Sequence, residues 1–395
     1  MKKAVMYGAG NIGRGFIGQL FFKSGYETVF LDISEPVINK LNEDRSYPLY
    51  IAENEVYTKT LIENVRGVNS RDEEAASDEI ASADVCATAV GVKILPFIAP
   101  VLAKAVAKRM KAMPETHLNV IICENMIDAD KYLASLVKEK LSDEEKAWFD
   151  EYVGFSEASV GRMVPAAPKE ITEQDPLAVC VEAFCELPVD KDAMKGEIPY
   201  VANMKPFAPF SFYIERKLFM HNMSHAMTAY LGNLKGYTYI WEAAQDEAIT
   251  AIVADALRDI TNALSKKHGV AKKELEEHAA DLQKRFKNKL LGDPITRVGG
   301  DTKRKLSPND RLVGALKCCL SQKISSDALP IGIAAAMLFA PETDASSCEL
   351  AEFAAENGVK ATLEKYSDFT DDEIVNTIEM HYNILLSNSM TETEE

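Results

Sequence analysis

The stretch "GAGNIGRGFIG", residues 8–18, decides the fold of this chain. It lies between an apolar run, "KAVMY", and a helical pattern, "FIGQLFFKSG", and it holds Gly8, Gly10 and Gly13 in the spacing G-x-G-x-x-G. In that spacing the first glycine permits a tight turn, the second lets a pyrophosphate approach the backbone, and the third lets the helix pack closely on the strand. The stretch therefore predicts a strand–turn–helix unit that binds a dinucleotide at the amino end of its helix.

The second apolar run, "ETVFLD", ends in Asp32, which is the expected place for a ribose-binding acid. A carboxylate there accepts hydrogen bonds from both ribose hydroxyls and repels a 2′-phosphate, so it favours NAD over NADP. The predicted cofactor-binding set also includes Asn11 and Ile12 in the glycine-rich turn and Val90 at the end of a later strand. The alternative is a glycine-rich turn without a ligand, and the flanking strand and helix together with Asp32 argue against it.

The pattern of apolar residues changes near residue 190. Before that point short strand-like runs alternate with helical patterns, which is typical of a parallel sheet wrapped by helices. These runs are "KAVMYG", "ETVFLD", "DVCATAV", "LNVIICEN", "YVGFSEASVGRMVP" and "LAVCVEAF". After it, long amphipathic patterns predict helices at 211–232, 239–266, 271–290, 307–321, 327–339, 346–364 and 371–387.

We therefore predict an α/β fold whose first part is a Rossmann-type doubly wound parallel sheet and whose second part is mostly α-helical. The predicted domains are 1–190 for cofactor binding and 191–388 for substrate binding and catalysis. The polar, acidic segment 389–395 is expected to be a frayed tail.

Composition limits the class of protein and its partners. The chain has 395 residues, 47% hydrophobic and 27% charged, which is normal for a soluble enzyme of two domains. A net charge of −17 argues against nucleic acid and anionic membranes as partners. No apolar run is long enough to span a bilayer and the amino terminus lacks the features of a signal peptide, so we expect a cytoplasmic monomer or small homo-oligomer. The seven scattered cysteines favour free thiols over disulfides or metal ligands.

One segment of this acidic chain has a net positive charge. Residues 297–317 hold six positive side chains against two negative ones, Asp301 and Asp310. The positive residues are Arg297, Lys303, Arg304, Lys305, Arg311 and Lys317. Two interpretations stay open from the residues alone: a solvated basic face, or a pocket for a small anion such as a phosphate ester.

The stretch "KLFMHNMSHA", residues 217–226, places polar side chains inside an otherwise apolar helix. With about 100° per residue on an α-helix and Lys217 at zero, His221 falls near ~40°, His225 near ~80° and Asn222 near ~140°. Phe219, Met220, Met223, Ala226 and Met227 fall on the other side. Beside a nicotinamide, Lys217 has the chemistry of a general acid/base for an alcohol or carbonyl, Asn222 can donate to the developing alkoxide, and His225 can hold a neighbouring hydroxyl.

Two other interpretations of these four polar residues are open. His221 and His225 at i and i+4 match part of a metal site, but the stretch lacks the glutamate of the HExxH motif and has no evident third ligand. Alternatively, the four polar residues form a solvated helix face. The dense apolar surroundings argue against full exposure, because a buried lysine without a partner is costly.

Several stretches together resemble the mannitol-1-phosphate branch of the polyol-specific long-chain dehydrogenases. They are "GAGNIGRGFIG", "CENM" at 123–126, "VGFSEASVGRMVP" at 153–165, "ERKLFMHNMSHAMTAYLG" at 215–232, "RFKN" at 285–288, "TRVGGDTKRKLSPNDRL" at 296–312 and "GIAAAM" at 332–337. The similarity extends over nearly the whole chain in order. Its K-x4-N-x2-H helix motif is specific, because the related β-hydroxyacid dehydrogenases use the shorter K-x3-N spacing.

The resemblance implies roles for particular residues. Lys217 would be the general acid/base of a reaction that needs no metal. Asn222 and Asn125 would bind the oxyanion, and His225 would orient the substrate. The resemblance also implies an NAD-dependent enzyme that interconverts D-mannitol 1-phosphate and D-fructose 6-phosphate, with a small-molecule substrate as its main partner.

The basic segment also gains a purpose from the resemblance, since Arg297 and Lys305 match positions that contact substrate in these enzymes. One residue departs from the family pattern: V-D-R in relatives is here Val160-Gly161-Arg162, which removes a carboxylate that contacts a substrate hydroxyl. A dehydrogenase for a free polyol or a hexuronate such as mannitol, fructuronate or tagaturonate therefore stays open, as does a non-catalytic NAD-binding regulator.

Overall fold

A computed structural model describes residues 2–392 of the chain, with side chains described for residues 2–388. The chain divides into two units, Met1–Ser211 and Phe212–Glu395. The boundary expected after residue 190 falls instead between two strands that pair in parallel, Leu187–Asp190 and Met204–Phe207. This pairing keeps the segment after residue 190 in the first unit.

Six parallel strands form the main sheet of the first unit. Their order across the sheet is β5-β2-β1-β6-β7-β8. All five neighbouring pairs are parallel. The strands are β1 Lys3–Tyr7, β2 Glu27–Asp32, β5 Val65–Asn69, β6 Val85–Thr88, β7 Leu118–Ile122 and β8 Val153–Glu157. This order is that of a dinucleotide-binding Rossmann sheet, and it confirms the predicted fold class.

Alternate residues of the strands enter two separate cores because successive side chains point to opposite faces of a sheet. Val5 and Tyr7 of β1 pack in one core with side chains of α3 to α6 such as Leu102 and Phe149. Ala4 and Met6 pack in the other with Phe16, Leu20, Leu49 and Val179. Helices of the first unit are α1 Gly18–Lys23, α2 Glu35–Asp44, α3 Glu73–Ala81, α4 Leu95–Ala112, α5 Ala129–Lys138, α6 Asp143–Tyr152 and α7 Lys169–Thr172.

Five of the observed strands were not identified from the sequence. Two of them, β3 Ser46–Glu53 and β4 Val56–Glu63, form a hairpin through Asn54 and Glu55, which both have positive φ. Such a turn usually carries Asn-Gly, and its absence here hides the hairpin in the sequence. The predicted run "LAVCVEAF" forms β9 Val179–Glu182, which pairs with β3 outside the main sheet. The other missed strands are β5, β10 Leu187–Asp190 and β11 Met204–Phe207.

The second unit is helical throughout its described residues, as predicted. Its helices are α8 Ser211–Arg216, which starts at the last residue of the first unit, α9 Met223–Leu234, α10 Ile240–Ala243, α11 Glu247–His268, α12 Lys272–Phe286, α13 Ile295–Gly299, α14 Thr302–Lys305, α15 Val313–Ser321, α16 Ala328–Met337, α17 Ala345–Ser367 and α18 Asp372–Glu392. Short 3-10 turns lie at Val92–Ile94 in the first unit and Lys289–Leu291 in the second.

The last two helices of the second unit differ in detail from the predicted segments. The pattern at 346–364 forms α17, but the helix is interrupted at Gly358, whose φ is +81°. The expected frayed tail at 389–395 begins inside α18, which continues to Glu392, while residues 393–395 lie outside the described residues. Within the described part of the chain, none of the helices has the length and hydropathy to cross a membrane. All seven cysteines are free, and five of them are buried.

Candidate functional site

The glycine-rich turn follows β1 directly, and each of its glycines has a distinct environment. Gly8 has φ +104°, and a Cβ there would lie 2.5 Å from the carbonyl oxygen of Ala89. A Cβ on Gly13 would lie 1.9 Å from the carbonyl oxygen of Gly8. Around Gly10, by contrast, no atom comes within 4 Å of the Cβ position. Gly8 and Gly13 are therefore required by the fold, whereas Gly10 leaves room for a ligand to approach the backbone.

The helix after this turn begins as a π-helix over Gly13–Ile17 and becomes α-helical at Gly18. Arg14, which sequence analysis did not single out, is buried behind the turn, where its Nε donates to the carbonyl oxygen of Ala9 at 2.7 Å. Burial lowers the pKa of this guanidinium. Arg14 thus fixes the backbone of the turn and places a positive charge beneath it.

Asp32 ends β2 next to the glycine-rich turn. One carboxylate oxygen accepts from the backbone N–H of Ala9 at 2.7 Å, and the other accepts from that of Ser34 at 2.9 Å. A carboxylate offers about four lone-pair positions, so each oxygen retains acceptor capacity for a hydroxyl. The open side of Gly10 and this acceptor capacity fit a dinucleotide with its pyrophosphate at the turn and its ribose at Asp32.

Val90 and Asn125 follow neighbouring strands, β6 and β7, so both lie at the carboxyl edge of the sheet, the edge where open α/β sheets bind ligands. Glu124 links the segments that follow these two strands by hydrogen bonds. Its buried carboxylate accepts from the backbone N–H of Val90 at 2.9 Å and from that of Gly91 at 2.8 Å. Asn125 itself is exposed. Glu124 belongs to the stretch "CENM", but its role is not evident from the sequence because its partners lie 33 and 34 residues away.

Arg162, the last residue of the Val160-Gly161-Arg162 motif, has a structural role. Arg162 is buried, and its Nε and one terminal nitrogen donate to the carbonyl oxygen of Glu182 at 3.0 and 2.8 Å. The other terminal nitrogen donates to Gly15 at 3.1 Å and to the Gln19 side chain at 2.5 Å. Arg162 therefore joins the segment after β8 to β9 and to the first helix. Gly161, beside it, contributes no carboxylate.

In the second unit, residues Lys217–Asn222 form a π-helix between α8 and α9. Each π-helical hydrogen bond spans five residues, so positions i and i+5 lie above one another, as i and i+4 nearly do in an α-helix. The ~140° separation of Lys217 and Asn222 expected from α-helical geometry is therefore wrong. The K-x4-N spacing places both half-buried side chains on one face, much as K-x3-N does on an α-helix.

The two histidines of this region are not part of a solvated face. His221 is 7% exposed, and the side chain of His225 is 13% exposed. The His225 ring stacks on Phe286 with ring centres 4.7 Å apart. Burial lowers the pKa of His225, and the nearby positive charges of Arg297, Arg311 and Lys305 lower it further. Both imidazoles are therefore neutral at pH 7, since burial lowers the pKa of His221 as well.

Asp293 connects two predicted substrate-binding residues, although sequence analysis did not identify it. Its buried carboxylate accepts from the Nε of Arg297 at 2.7 Å, and its other oxygen lies 3.5 Å from the Nε2 of His225, which makes no hydrogen bond to the described residues. Burial raises the pKa of Asp293, while the hydrogen bond from Arg297 opposes that change. Asp293 thus orients Arg297 and lies beside His225, and the side chain of Arg297 remains largely exposed, with 61% of its area accessible.

Lys305 is buried, and its ammonium donates to the carbonyl oxygens of Val298 and Gly300. Burial lowers its pKa to about 7, with further lowering by Arg311 and Arg304. The other cations of the segment also have partners within the second unit: Arg304 with Asp301 (2.7 Å) and Asp310 (3.2 Å), Arg311 with Asp310 (2.7 Å), Lys303 with Glu349 (2.5 Å) and Lys317 with the carbonyl oxygen of Ser367 (3.4 Å). The basic segment is therefore an internally paired network rather than an open basic patch.

Close packing brings this network against α9. The hydroxyl of Tyr230 donates to the carbonyl oxygen of Gly299 at 2.9 Å. A Cβ on Gly299 would lie 2.5 Å from the ring of Phe339, so only glycine fits there. This packing sets the distance between α13, which carries Arg297, and α9, which carries His225.

The possible metal site at His221 and His225 gains no third ligand among the described residues. Within that part of the chain, one group of three His, Cys, Asp or Glu side chains has its ligand atoms close enough to share an ion, and it lies elsewhere, at Asp128, Asp130 and Glu157. The two imidazoles instead lie edge to face, with ring centres 5.9 Å apart.

Comparison with known proteins gives a consistent result along the whole chain. The mannitol dehydrogenase Rossmann domain matches residues 2–202, and the mannitol dehydrogenase C-terminal domain matches residues 210–386. A mannitol-1-phosphate 5-dehydrogenase from Caldanaerobacter subterraneus subsp. tengcongensis is 38% identical over 388 residues, covering 97% of this chain and 98% of that protein.

Two solved structures share the fold. A D-sorbitol dehydrogenase in substrate-free form has a TM-score of 0.82 at 18% identity, covering 98% of this chain and 94% of that one. The Pseudomonas fluorescens mannitol 2-dehydrogenase, in a ternary complex with NAD and D-mannitol, has a TM-score of 0.75 at 16% identity, covering 100% and 94%. At these identities the likeness establishes the architecture of the chain.

Proposed function

The chain belongs to the mannitol dehydrogenase family, and we propose that it is an NAD-dependent oxidoreductase that interconverts D-mannitol 1-phosphate and D-fructose 6-phosphate. The observation that carries this proposal is the 38% identity to a mannitol-1-phosphate 5-dehydrogenase over 97% of the chain. The sequence supports it, because Lys217, Asn222, His225 and Asn125 stand at the positions that the family motif assigns to proton transfer, oxyanion binding and substrate orientation, although Gly161 replaces the aspartate of that motif.

The first unit would hold the cofactor through the glycine-rich turn and Asp32. NAD, when bound, supplies the acceptor or donor of a hydride. The open side of Gly10 suits the pyrophosphate, and Asp32 suits the two ribose hydroxyls of NAD while repelling the 2′-phosphate of NADP. Asn11, Ile12 and Val90 complete the cofactor-binding set.

Lys217 would exchange the proton of the reacting hydroxyl. In oxidation its neutral amine accepts the proton, and in reduction its ammonium returns the proton to the carbonyl oxygen. Asn222 shares its face through the π-helix, and its amide would donate to the oxygen as negative charge develops there, together with Asn125. No step in this scheme requires a metal, so chelation should leave turnover unchanged.

The neutral His225 would orient the substrate through a hydroxyl, because a neutral imidazole both donates and accepts hydrogen bonds. Stacking on Phe286 would keep the His225 ring in place, and the hydrogen bond to Asp293 would do the same for Arg297. Arg297, with its exposed guanidinium, and Lys305 would bind the phosphate.

A dehydrogenase of a free polyol or a hexuronate is the second candidate, and a specific observation favours it. The cations of the basic segment are already paired with carboxylates or carbonyl oxygens, which leaves less charge for a phosphate. Gly161 also removes a carboxylate expected in the family motif.

The deciding experiment measures NADH oxidation with fructose 6-phosphate, fructose, fructuronate and tagaturonate in parallel. Each charge-assisted phosphate contact is worth roughly 1.5–3 kcal/mol, so kcat/KM for fructose 6-phosphate should exceed that for fructose by at least about tenfold. A higher kcat/KM for fructose or a hexuronate would support the second candidate. NADH binding without turnover of any of the four would instead support a regulator.

We also propose that the protein works in a reducing cytoplasm. The support is its cysteine usage, since all seven thiols are free and none is disulfide-bonded. Thiol titration of protein that is purified without reductant and then denatured should count seven free thiols, whereas a lower count would indicate disulfide bonds.

A further inference from the structure

Three carboxylates meet at the carboxyl edge of the first unit's sheet, in a group that the proposed reaction does not use. Glu157 is the last residue of β8, paired in register with Ile122 of β7. Asp128 precedes α5, and Asp130 lies in the first turn of that helix. One carboxylate oxygen from each of the three acids lies within 4.8 Å of the other two.

Two of these acids are buried, which is uncommon for carboxylates without a cationic partner. Asp130 and Glu157 are each 7% exposed. The Oδ1 atom of Asp130 is fully buried and accepts no hydrogen bond. Nearly all buried polar atoms in folded proteins have a partner, so this oxygen indicates a missing one.

The positive charge near the group is too small and too exposed to neutralise it. Lys131 contacts Asp128 at 2.5 Å, but both side chains are more than half exposed, so water screens the pair. Backbone N–H groups of Asp128 and Lys131 donate to Glu157 and Asp130 respectively. Burial, together with the neighbouring carboxylates, nevertheless raises the pKa of Glu157 to about 7.

We propose that Asp128, Asp130 and Glu157 bind a hard divalent cation of the Ca²⁺ or Mg²⁺ kind. Such ions prefer carboxylate oxygens, and bonds of about 2.3–2.6 Å to Ca²⁺ place opposite ligands roughly 5 Å apart, which the 4.8 Å limit satisfies. The cation offsets the buried negative charge and binds beside a carboxylate, that of Asp130, whose Oδ1 accepts no hydrogen bond from the described residues. The exposed Asp128 completes the group from the solvent side, where water molecules fill the remaining coordination positions.

The position of the site suggests what it does. It joins the segment between β7 and α5, residues 123–128, to the end of β8, and that segment contains Glu124 and Asn125. Glu124 in turn holds the backbone of Val90 and Gly91. Cation binding would therefore stabilise the carboxyl edge of the sheet without touching the reacting groups.

The test uses the full-length protein after EDTA treatment and exchange into metal-free buffer. Ca²⁺, Mg²⁺ and Mn²⁺ are titrated separately by calorimetry, and the Tm is measured with and without each ion. We expect at least one of them to bind at one ion per chain and to raise the Tm by several degrees, because a ligand that binds only the native state stabilises it.

Asp130→Asn and Glu157→Gln should abolish this binding and the Tm shift, since they keep the shape of the side chain and remove its charge. Asp128→Asn changes an exposed side chain that the fold does not need, and it should weaken binding by about tenfold or more because one charged ligand is lost. Asp143→Asn, which alters a fully exposed acid of the same unit, is the control and should bind as the parent does.

Absence of stoichiometric binding of all three ions would overturn the proposal. So would binding that persists unchanged in Asp128→Asn and in whichever of the two buried variants folds. Turnover is not the readout, so the result is independent of the reaction proposed above.

Discussion

Gly10→Ala tests whether the glycine-rich turn binds the cofactor through its backbone. The φ of Gly10 lies outside the left-handed region, and no atom lies within 4 Å of the Cβ position. The new methyl group therefore causes no strain in the fold. By reducing the freedom of the unfolded chain, it should raise the free energy of unfolding by about 0.4–1 kcal/mol.

The same methyl group would occupy the space through which a pyrophosphate approaches the turn. Forcing an extra carbon into a close contact costs about 1–3 kcal/mol. The Kd for NADH should therefore rise roughly 5- to 150-fold. Fluorescence titration with NADH measures this change, and thermal unfolding without cofactor measures stability in the same preparation.

Gly13→Ala is the matched control within the same turn. Its Cβ would lie 1.9 Å from the backbone oxygen of Gly8, a clash that no side-chain rotation relieves. We expect a loss of stability on the order of 3 kcal/mol or more. If Gly10→Ala binds NADH as tightly as the parent, the pyrophosphate does not lie at this turn and the reasoning fails.

Five other substitutions test the ribose, proton-transfer and phosphate sites. Asp32→Ala should weaken NADH binding and reduce discrimination against NADPH, as measured by titration with both nucleotides, because it removes the ribose acceptor and the repulsion of the 2′-phosphate together. In single-turnover assays, Lys217→Ala should lower the rate by about 10²–10⁴ and Asn222→Ala by about 10²–10³, with NADH still bound. Lys305→Met should lower kcat/KM for fructose 6-phosphate at pH 6 but have less effect as the pH rises through about 7, where Lys305 loses its charge. Arg297→Ala should also lower kcat/KM for fructose 6-phosphate, because it removes an exposed guanidinium that is proposed to bind the phosphate.

Each of these expectations has a result that contradicts it. Equal use of NADH and NADPH by the parent protein would contradict the proposed role of Asp32 in excluding the 2′-phosphate. Near-normal turnover of Lys217→Ala at neutral pH would exclude the proposed proton transfer. His221→Ala is the control on the same helix and should retain most turnover, since the motif gives that position no role. A pH-independent effect of Lys305→Met, with a matching loss of Tm, would indicate a structural role for Lys305 alone.

Much of the fold was predictable because its signals are local. The glycine spacing at residues 8–13 and the apolar runs that became β1, β2, β6, β7 and β8 follow from backbone sterics and from the period of two in a strand. The seven amphipathic patterns of the second half contain helices for the same kind of reason, although 211–232 and 239–266 each form more than one helix and 307–321 is helical only from Val313. The hairpin of β3 and β4 escaped because its turn, Asn54-Glu55, lacks the usual glycine.

The candidate site was only partly predictable. Sequence motifs named Lys217, Asn222 and His225, but the angular relation between them was wrong because an α-helix was assumed where a π-helix forms. Whether a helix widens to accept one more residue per turn depends on what packs around it, and a local pattern does not contain that information.

By itself, the sequence determined the α/β class of the first part, the helical class of the second part, the glycine-rich turn and the family of the chain, since these depend on residues close together or on motifs met in order. Only the tertiary structure decided which charges meet. It placed Asp293 between His225 and Arg297, paired the basic segment internally, and brought Glu157 to Asp128 and Asp130. Electrostatic interaction depends on distance and burial, and both are set by packing between segments that the chain keeps far apart.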